Sequence, residues 1–360
     1  MTGPPLETPV PLVDLDRLER NLDRMAEYAR AHGLALRPHG KTHKAPRIAR
    51  EQIARGAIGL TCATPREMEV MAEVCQDLLL AHPPVNPGKL ARILALPRSI
   101  RPLVALDSAE AVDQVAAGAR TAGRPVGVLV ELDLGMGRVG VAGPGDAVAL
   151  AHRIATSGSL AFEGVLFYPG HIRGPIGPAD PAIGKLGRDL SLVLRALDQA
   201  GLAPRVVSGG STPTAWHTHE IPGLTEMRPG TYVYNDRSTV AAGACTIADC
   251  ALTVLATVVS TAVPGQAVID AGSKALGREP RGVEDTGYGE LLDRPEVTVR
   301  AMSEEHGILD LRGTEWRPRV GDQVRVVPNH VCVVVHLYDA VVGIRGDQVV
   351  ERWEVAARGR

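Results

Sequence analysis

Lys41 lies in the octapeptide Arg37-Pro38-His39-Gly40-Lys41-Thr42-His43-Lys44, where a primary amine is crowded by cationic and imidazole side chains. A lysine in such company is a candidate for Schiff-base chemistry on a carbonyl. Amines are scarce here: of 39 basic side chains only five are lysines, Lys41, Lys44, Lys89, Lys185 and Lys274. The apolar run Leu34-Ala35-Leu36 precedes the octapeptide, and Ala45-Pro46 follows it, with proline suited to the first turn of a helix. The pattern predicts strand, loop and helix, with Lys41 leaving the strand's carboxyl end. Taken alone, the segment also fits a solvated basic loop.

A second constellation is Pro328-Asn329-His330-Val331-Cys332. Read as a strand, it turns residues i and i+2 to one face, so His330 and Cys332 can share a metal ion. Imidazole with thiolate favours zinc over magnesium or manganese. Two protein donors leave positions for water or substrate oxygens, which a structural site would not. A buried cysteine beside a hydrogen-bonded histidine in a valine-rich strand is the plainer alternative. His217 and His219 have metal-like spacing but read as loop histidines without a third donor, and Lys274 is a rival amine outside the segment that carries Lys41.

These groups need a scaffold to bring them together. Leu18, Leu22, Met25 and Ala29 recur at helical spacing, with Asp14 or Asp16 able to cap the helix and Gly33 following its end. Short apolar runs then alternate with helical patterns, near Leu34–Leu36, Ile58–Cys62, Leu78–Ala81, Leu103–Leu106, Val126–Val130, Phe162–Phe167, Val206–Val207 and Glu226–Met227. Thr64-Pro65-Arg66-Glu67 is a capping box, and Ser108 caps a helix from Ala109 to Thr121. Eight strand candidates separated by helices predict an α/β fold, a parallel (β/α)8 TIM-type barrel over residues 10–240. No Gly-x-Gly-x-x-Gly turn follows the first strand, which argues against a dinucleotide-binding sheet. From about Cys245 the pattern becomes alternating and β-rich, predicting a mostly antiparallel β domain over 241–360, against which residues 1–9 pack.

In such a barrel the residues after each strand gather on one face. They are Lys41 after the first strand, Glu131 to Arg138 after the fifth, and Tyr168-Pro169-Gly170-His171 after the sixth. Ser208-Gly209-Gly210-Ser211-Thr212 follows the seventh and Arg228-Pro229-Gly230-Thr231-Tyr232 the eighth. Ser208, Gly209, Gly210, Thr212, Gly230 and Thr231 make small-residue loops suited to cradling a phosphate, commonly placed after strands seven and eight. A lysine facing a phosphate cradle suggests pyridoxal 5'-phosphate. Arg138 then either meets the cofactor's phenolic oxygen or pairs with Glu131, and Tyr168 is a further cofactor contact.

The bulk composition narrows the classes. A net charge of −2 leaves no polybasic surface for nucleic acid or anionic membrane. Five scattered cysteines fit thiols in a reducing compartment, and neither an export signal nor an apolar span of about 20 residues is visible, so a cytoplasmic location is expected.

The Arg-Pro-His-x-Lys-Thr-His-Lys segment, the Ser-Gly-Gly loop and Pro-x-His-x-Cys together resemble fold-type III pyridoxal-phosphate enzymes, the group that includes alanine racemase. More specifically they are similar to the D-threonine aldolase and D-serine dehydratase branch, over nearly the whole chain. The resemblance implies a homodimer with a metal beside the cofactor, Lys41 bonded to the cofactor, Arg138 at its phenolic oxygen and Arg228 by its pyridine nitrogen. It implies a small D-amino acid as substrate. Aldolases of the branch carry a carboxylate two residues after the histidine; here Cys332 stands there, which favours β-elimination to a keto acid and ammonia. The alternatives are retro-aldol cleavage with His171 as base, and a non-catalytic cofactor carrier.

Overall fold

The computed structural model describes residues 6–280 and 287–360, in two compact units. One comprises 24–41, 46–230 and the last two residues; the other comprises the N-terminal segment to Asp23, Thr42–Ala45 and 231–358.

The first unit is the barrel. Its eight strands are Ala35–Leu36, Leu60–Cys62, Asp77–Leu80, Arg101–Leu106, Val126–Leu132, Leu160–Phe167, Val206–Gly209 and Glu226–Met227. They pair in parallel in sequence order, and Ala35–Leu36 pairs with Glu226–Met227. A parallel bridge between His39 and Thr61 joins the first strand's extension to the second strand, so the ring closes. These strands read as short unbroken apolar runs because both faces are covered. Leu79, Leu103, Ala105, Leu129 and Leu166 form one wholly buried cluster, each large side chain contributing about 1.5–3 kcal/mol of burial. The helices start where their caps predict: Thr64 accepts the Glu67 N–H at 3.2 Å and Ser108 the Ala111 N–H at 3.3 Å.

The second unit is a nine-stranded sheet. Its order is Gln266–Ile269, Gly307–Asp310, Arg294–Met302, Gly289–Leu291, Gln323–Pro328, Leu252–Ser260, Val10–Asp14, Ala340–Arg345 and Gln348–Glu354. Pairing of Leu252–Ser260 with Gln266–Ile269 closes the first six into a barrel. Among the described residues every pairing of this sheet is antiparallel except that of Val10–Asp14 with Ala340–Arg345.

Two differences from the sequence reading follow. The sequence pattern places residues 10–14 in the (β/α)8 barrel, yet they form a strand between Leu252–Ser260 and Ala340–Arg345, where Leu12 packs with Leu255, Val342 and Ile344. The compact units also part at 230/231 rather than 240/241. An apolar pentapeptide announces a strand but not its sheet, because its partners lie more than 230 residues away. Thr8 hydrogen-bonds Thr257 at 2.6 Å and Asp270 at 2.5 Å; residues 1–5 lie outside the described residues. Second, the strand expected at His330–Cys332 is a helix, Val331–Leu337, with His330 as its N-cap. Its valines are buried at 331, 334 and 335, a helical spacing that packing enforces over β propensity. Among the described residues no helix is long and apolar enough to cross a membrane.

Candidate active site

In the barrel unit, three loops converge on the Tyr168 ring. Lys41 Nζ lies 5.8 Å from its centroid and the Arg138 guanidinium carbon 5.2 Å, so the residues after the first, fifth and sixth strands meet. The octapeptide is no solvated loop: Arg37, His43 and Lys44 are all buried. Asp133 shapes the Arg138 loop by accepting the N–H groups of Gly135 and Gly137 at 2.9 and 3.0 Å, bonds that hold its carboxyl below the usual range. Both glycines have positive φ, 115° and 64°, which a side chain would strain. The His171 ring rests against Gly135, where a Cβ would stand 3.1 Å from Nε2; His171 itself is exposed.

After the seventh strand the chain turns through Gly209 and Gly210. A Cβ on Gly209 would stand 2.3 Å from the Phe167 ring, and Gly210 has φ +82° with Thr218 close by. These positions admit only glycine, and they bring bare backbone against the barrel interior. Ser211 and Thr214 share a hydroxyl–hydroxyl bond of 3.0 Å in the following turn, and Thr212 is buried. The Ser208 hydroxyl is committed elsewhere, donating to Glu226 at 2.5 Å and accepting from Arg228. Arg228 also donates to the Phe167 carbonyl at 2.8 Å, and its burial pushes the guanidinium down to about 10. Arg37 holds Glu226 at 2.9 Å and Asp77 at 2.6 Å, completing a buried chain of charges. Glu131, at the end of the fifth strand, is 4% exposed. Burial pushes its carboxyl up, against the pull of Arg228 and Arg138.

An amine, two guanidinium groups and a glycine-built turn fit an anionic aldehyde such as pyridoxal phosphate. Lys41 would carry its carbonyl carbon, Arg138 and Arg228 would balance its anionic oxygens and ring, and the turn from Gly209 to Thr212 with Gly230 would cradle its phosphate.

In the β unit, His330 and Cys332 lie at the start of the Val331–Leu337 helix. The His330 Nδ1 stands 3.0 Å from Oδ2 of Asp236, a wholly buried carboxylate. The neighbouring Cys332 thiolate, aided by Asp236, pushes His330 up to about 11 against the cost of burial. The preceding Asn329 is clamped by Arg237 at 2.6 Å, by the carbonyls of Glu279 and Gly287 at 2.9 and 2.8 Å, and by Ser238. Two threonines contact the Cys332 sulfur within this unit, Thr42 at 3.2 Å and Thr231 at 3.9 Å. Thr42 follows Lys41 in the chain, and Thr231 follows Gly230. Among the described residues no group of three or more His, Cys, Asp or Glu side chains is placed to hold a metal. The donor chemistry at His330 and Cys332, with one imidazole nitrogen already engaged, fits a soft divalent cation that keeps open positions.

The remaining candidates separate from these sites. Lys274 is exposed and ion-paired with Glu305 at 2.8 Å. His217 and His219, read as loop residues, lie in a short 3-10 helix, Ala215–Glu220, bonded to Glu220 at 2.8 Å and Tyr28 at 2.7 Å. None of the five cysteines is in a disulfide. Sequence reasoning missed Asp236 and Thr42. Asp236-x-x-Thr239 is a visible helix-cap pattern, and Asp236 does accept the Thr239 N–H at 2.8 Å. Nothing in the sequence links it to a histidine 94 positions away.

Residues 13–238 match the family described as alanine racemase, N-terminal domain, and residues 251–344 a serine dehydratase domain. A D-threonine aldolase of an Arthrobacter species is 32% identical over 99% of this chain and 95% of its own. A D-threo-3-hydroxyaspartate dehydratase of Delftia sp. (strain HT23) is 35% identical over 97% of each chain. The crystal structure of that dehydratase superposes with a TM-score of 0.89 at 32% identity, covering 97% of both chains. A cysteine-to-alanine variant of a D-threo-3-hydroxyaspartate dehydratase, TM-score 0.87 and 33% identity over 97% of each chain, is described in a metal-free form.

Proposed function

Since the chain belongs to the fold-type III pyridoxal-phosphate enzymes, in the family of D-threonine aldolase and D-threo-3-hydroxyaspartate dehydratase, we propose that it eliminates water from a D-β-hydroxy amino acid, giving a keto acid and ammonia, with zinc at His330 and Cys332. The observation that carries the reading is the imidazole–thiolate pair at the start of the Val331–Leu337 helix, with His330 Nδ1 held 3.0 Å from Asp236. When bound, pyridoxal phosphate supplies an electron sink for Cα and zinc a Lewis acid for the departing hydroxyl. Lys41 would hold the cofactor through its carbonyl carbon, and its amine is the base that would take the Cα proton. Arg138 would hold the phenolic oxygen and Arg228 would sit by the pyridine nitrogen, while Tyr168 packs beside Lys41 and Arg138. His330 and Cys332 orient the β-hydroxyl and the substrate carboxylate.

Retro-aldol cleavage is the second reading, favoured by the Arthrobacter relative and by the exposed His171 ring over Gly135. His171 would then take the hydroxyl proton. Incubation of the zinc-loaded protein with D-serine, D-threonine and threo-3-hydroxy-D-aspartate separates the two. Keto acid plus ammonia from at least one of them, with L-isomers inert, is the expected result. Glycine and an aldehyde as dominant products would establish the aldolase reading instead.

A further inference from the structure

Asp236 accepts three hydrogen bonds with one carboxylate, and their distribution is selective. Its Oδ1 accepts the Thr239 N–H at 2.8 Å, capping the short helix Arg237–Ala241. Its Oδ2 receives the Val331 N–H at 3.1 Å and His330 Nδ1 at 3.0 Å. The Asp236 backbone N–H in turn donates to Thr239 Oγ1 at 2.8 Å, which locks the cap. The side chain is wholly buried while that of His330 is 35% exposed. A buried carboxylate that accepts at Nδ1 keeps a proton there, so Nε2 is the one ring nitrogen through which His330 can bind a metal, giving up its own proton to do so. By gripping the Val331 N–H as well, the same oxygen fixes the start of the helix that carries Cys332.

The geometry points to Asp236 as the positioning residue of the metal pair: it selects the His330 tautomer and couples the imidazole to the Cys332 helix, so both donors are preset before the metal arrives. This rests on the reading of His330 and Cys332 as metal ligands. Outer carboxylates of this kind typically raise metal affinity by about 10–100-fold.

Asp236→Asn is the test, since asparagine caps a helix as well as aspartate. Its oxygen can keep the Thr239 N–H, but its NH2 then faces the Val331 N–H and the Nδ1 of His330. The imidazole escapes that clash only by moving its proton to Nε2. Zinc affinity of the chelator-stripped protein, measured by competition with a chromogenic chelator, should fall about 10–100-fold in D236N. The 15N shifts of His330 should report the exchanged tautomer, while thermal melting stays cooperative. If D236N fails to fold, Asp236→Ser keeps a capping hydroxyl without the carboxylate and should show the same loss. Wild-type zinc affinity in the folded variant, alongside loss in His330→Ala, would overturn the positioning role and leave the metal reading standing. Wild-type affinity in His330→Ala itself would overturn both.

Discussion

In the barrel unit, Lys41 and Arg138 reach the Tyr168 ring at 5.8 and 5.2 Å from loops after different strands, contacts to a ring face rather than directed hydrogen bonds. In the β unit, His330 and the residue before it are tied by bonds of 2.6–3.0 Å to Asp236, Arg237 and two carbonyls. Exposed cation–ring contacts contribute about 0.5–1 kcal/mol each, and hydrogen bonds to charged groups about 1.5–3. The difference matches what each set must do. A small cation needs its donors preset in direction. A large anionic cofactor brings its own partners, and the barrel need only offer charge, an amine and a glycine turn.

The comparison breaks most severely at Lys41. Lys41→Ala should cut turnover at least about a thousandfold, because in the proposed reaction one residue would be both the cofactor's anchor and the Cα base. The visible absorption of bound cofactor and its borohydride-labelled peptide should vanish together. A label found instead on Lys274 would relocate the site.

Next in size, His330→Ala or Cys332→Ala should lower turnover by about a hundredfold or more, the loss of a Lewis acid. Both should leave the cofactor's absorption spectrum unchanged, since neither residue is among those proposed to hold the cofactor. A spectrum that changed with metal removal would show that they do bear on it.

Gly210→Val should cost about 1–3 kcal/mol, because a β-branched residue is strained at φ +82° and Thr218 crowds its Cβ. Cofactor titration should show weakened binding, with melting still cooperative. Undiminished affinity would remove the turn from the phosphate site.

The smallest effect is expected at Glu131. Burial raises its carboxyl above the ordinary 4.5, so the folded chain binds that proton more tightly than the unfolded one. Stability therefore falls as pH rises through and above 4.5, once the buried group must ionise. Glu131→Gln should leave melting at pH 8 unchanged or better by about 1 kcal/mol, while affinity for the anionic cofactor rises by up to about tenfold as Arg138 and Arg228 lose a competing carboxylate. Marked destabilisation would mean that Glu131 is a structural partner of the arginines.

By itself the sequence determined the barrel and the identity of its chemical groups. The alternation of apolar runs with capped helices is a local signal, and local backbone preference suffices to write it; all eight strands fall where the runs predict. Lys41, Arg138, Tyr168 and the glycine turn are legible for the same reason, since a residue just past a barrel strand has its place fixed by that strand. Tertiary structure alone decided what depends on partners far along the chain. Val10–Asp14 joined the sheet of Leu252–Ser260 because Leu12 packs there with Leu255, Val342 and Ile344, partners that no local pattern names. Val331–Leu337 coiled into a helix, against the preference of its valines, since burial of three of them at helical spacing outweighs tenths of a kcal/mol of propensity. Ser208 turned its hydroxyl to Glu226 and Arg228 within the barrel wall. Asp236 became the partner of His330 only when folding closed a separation of 94 positions, and no periodicity encodes that distance.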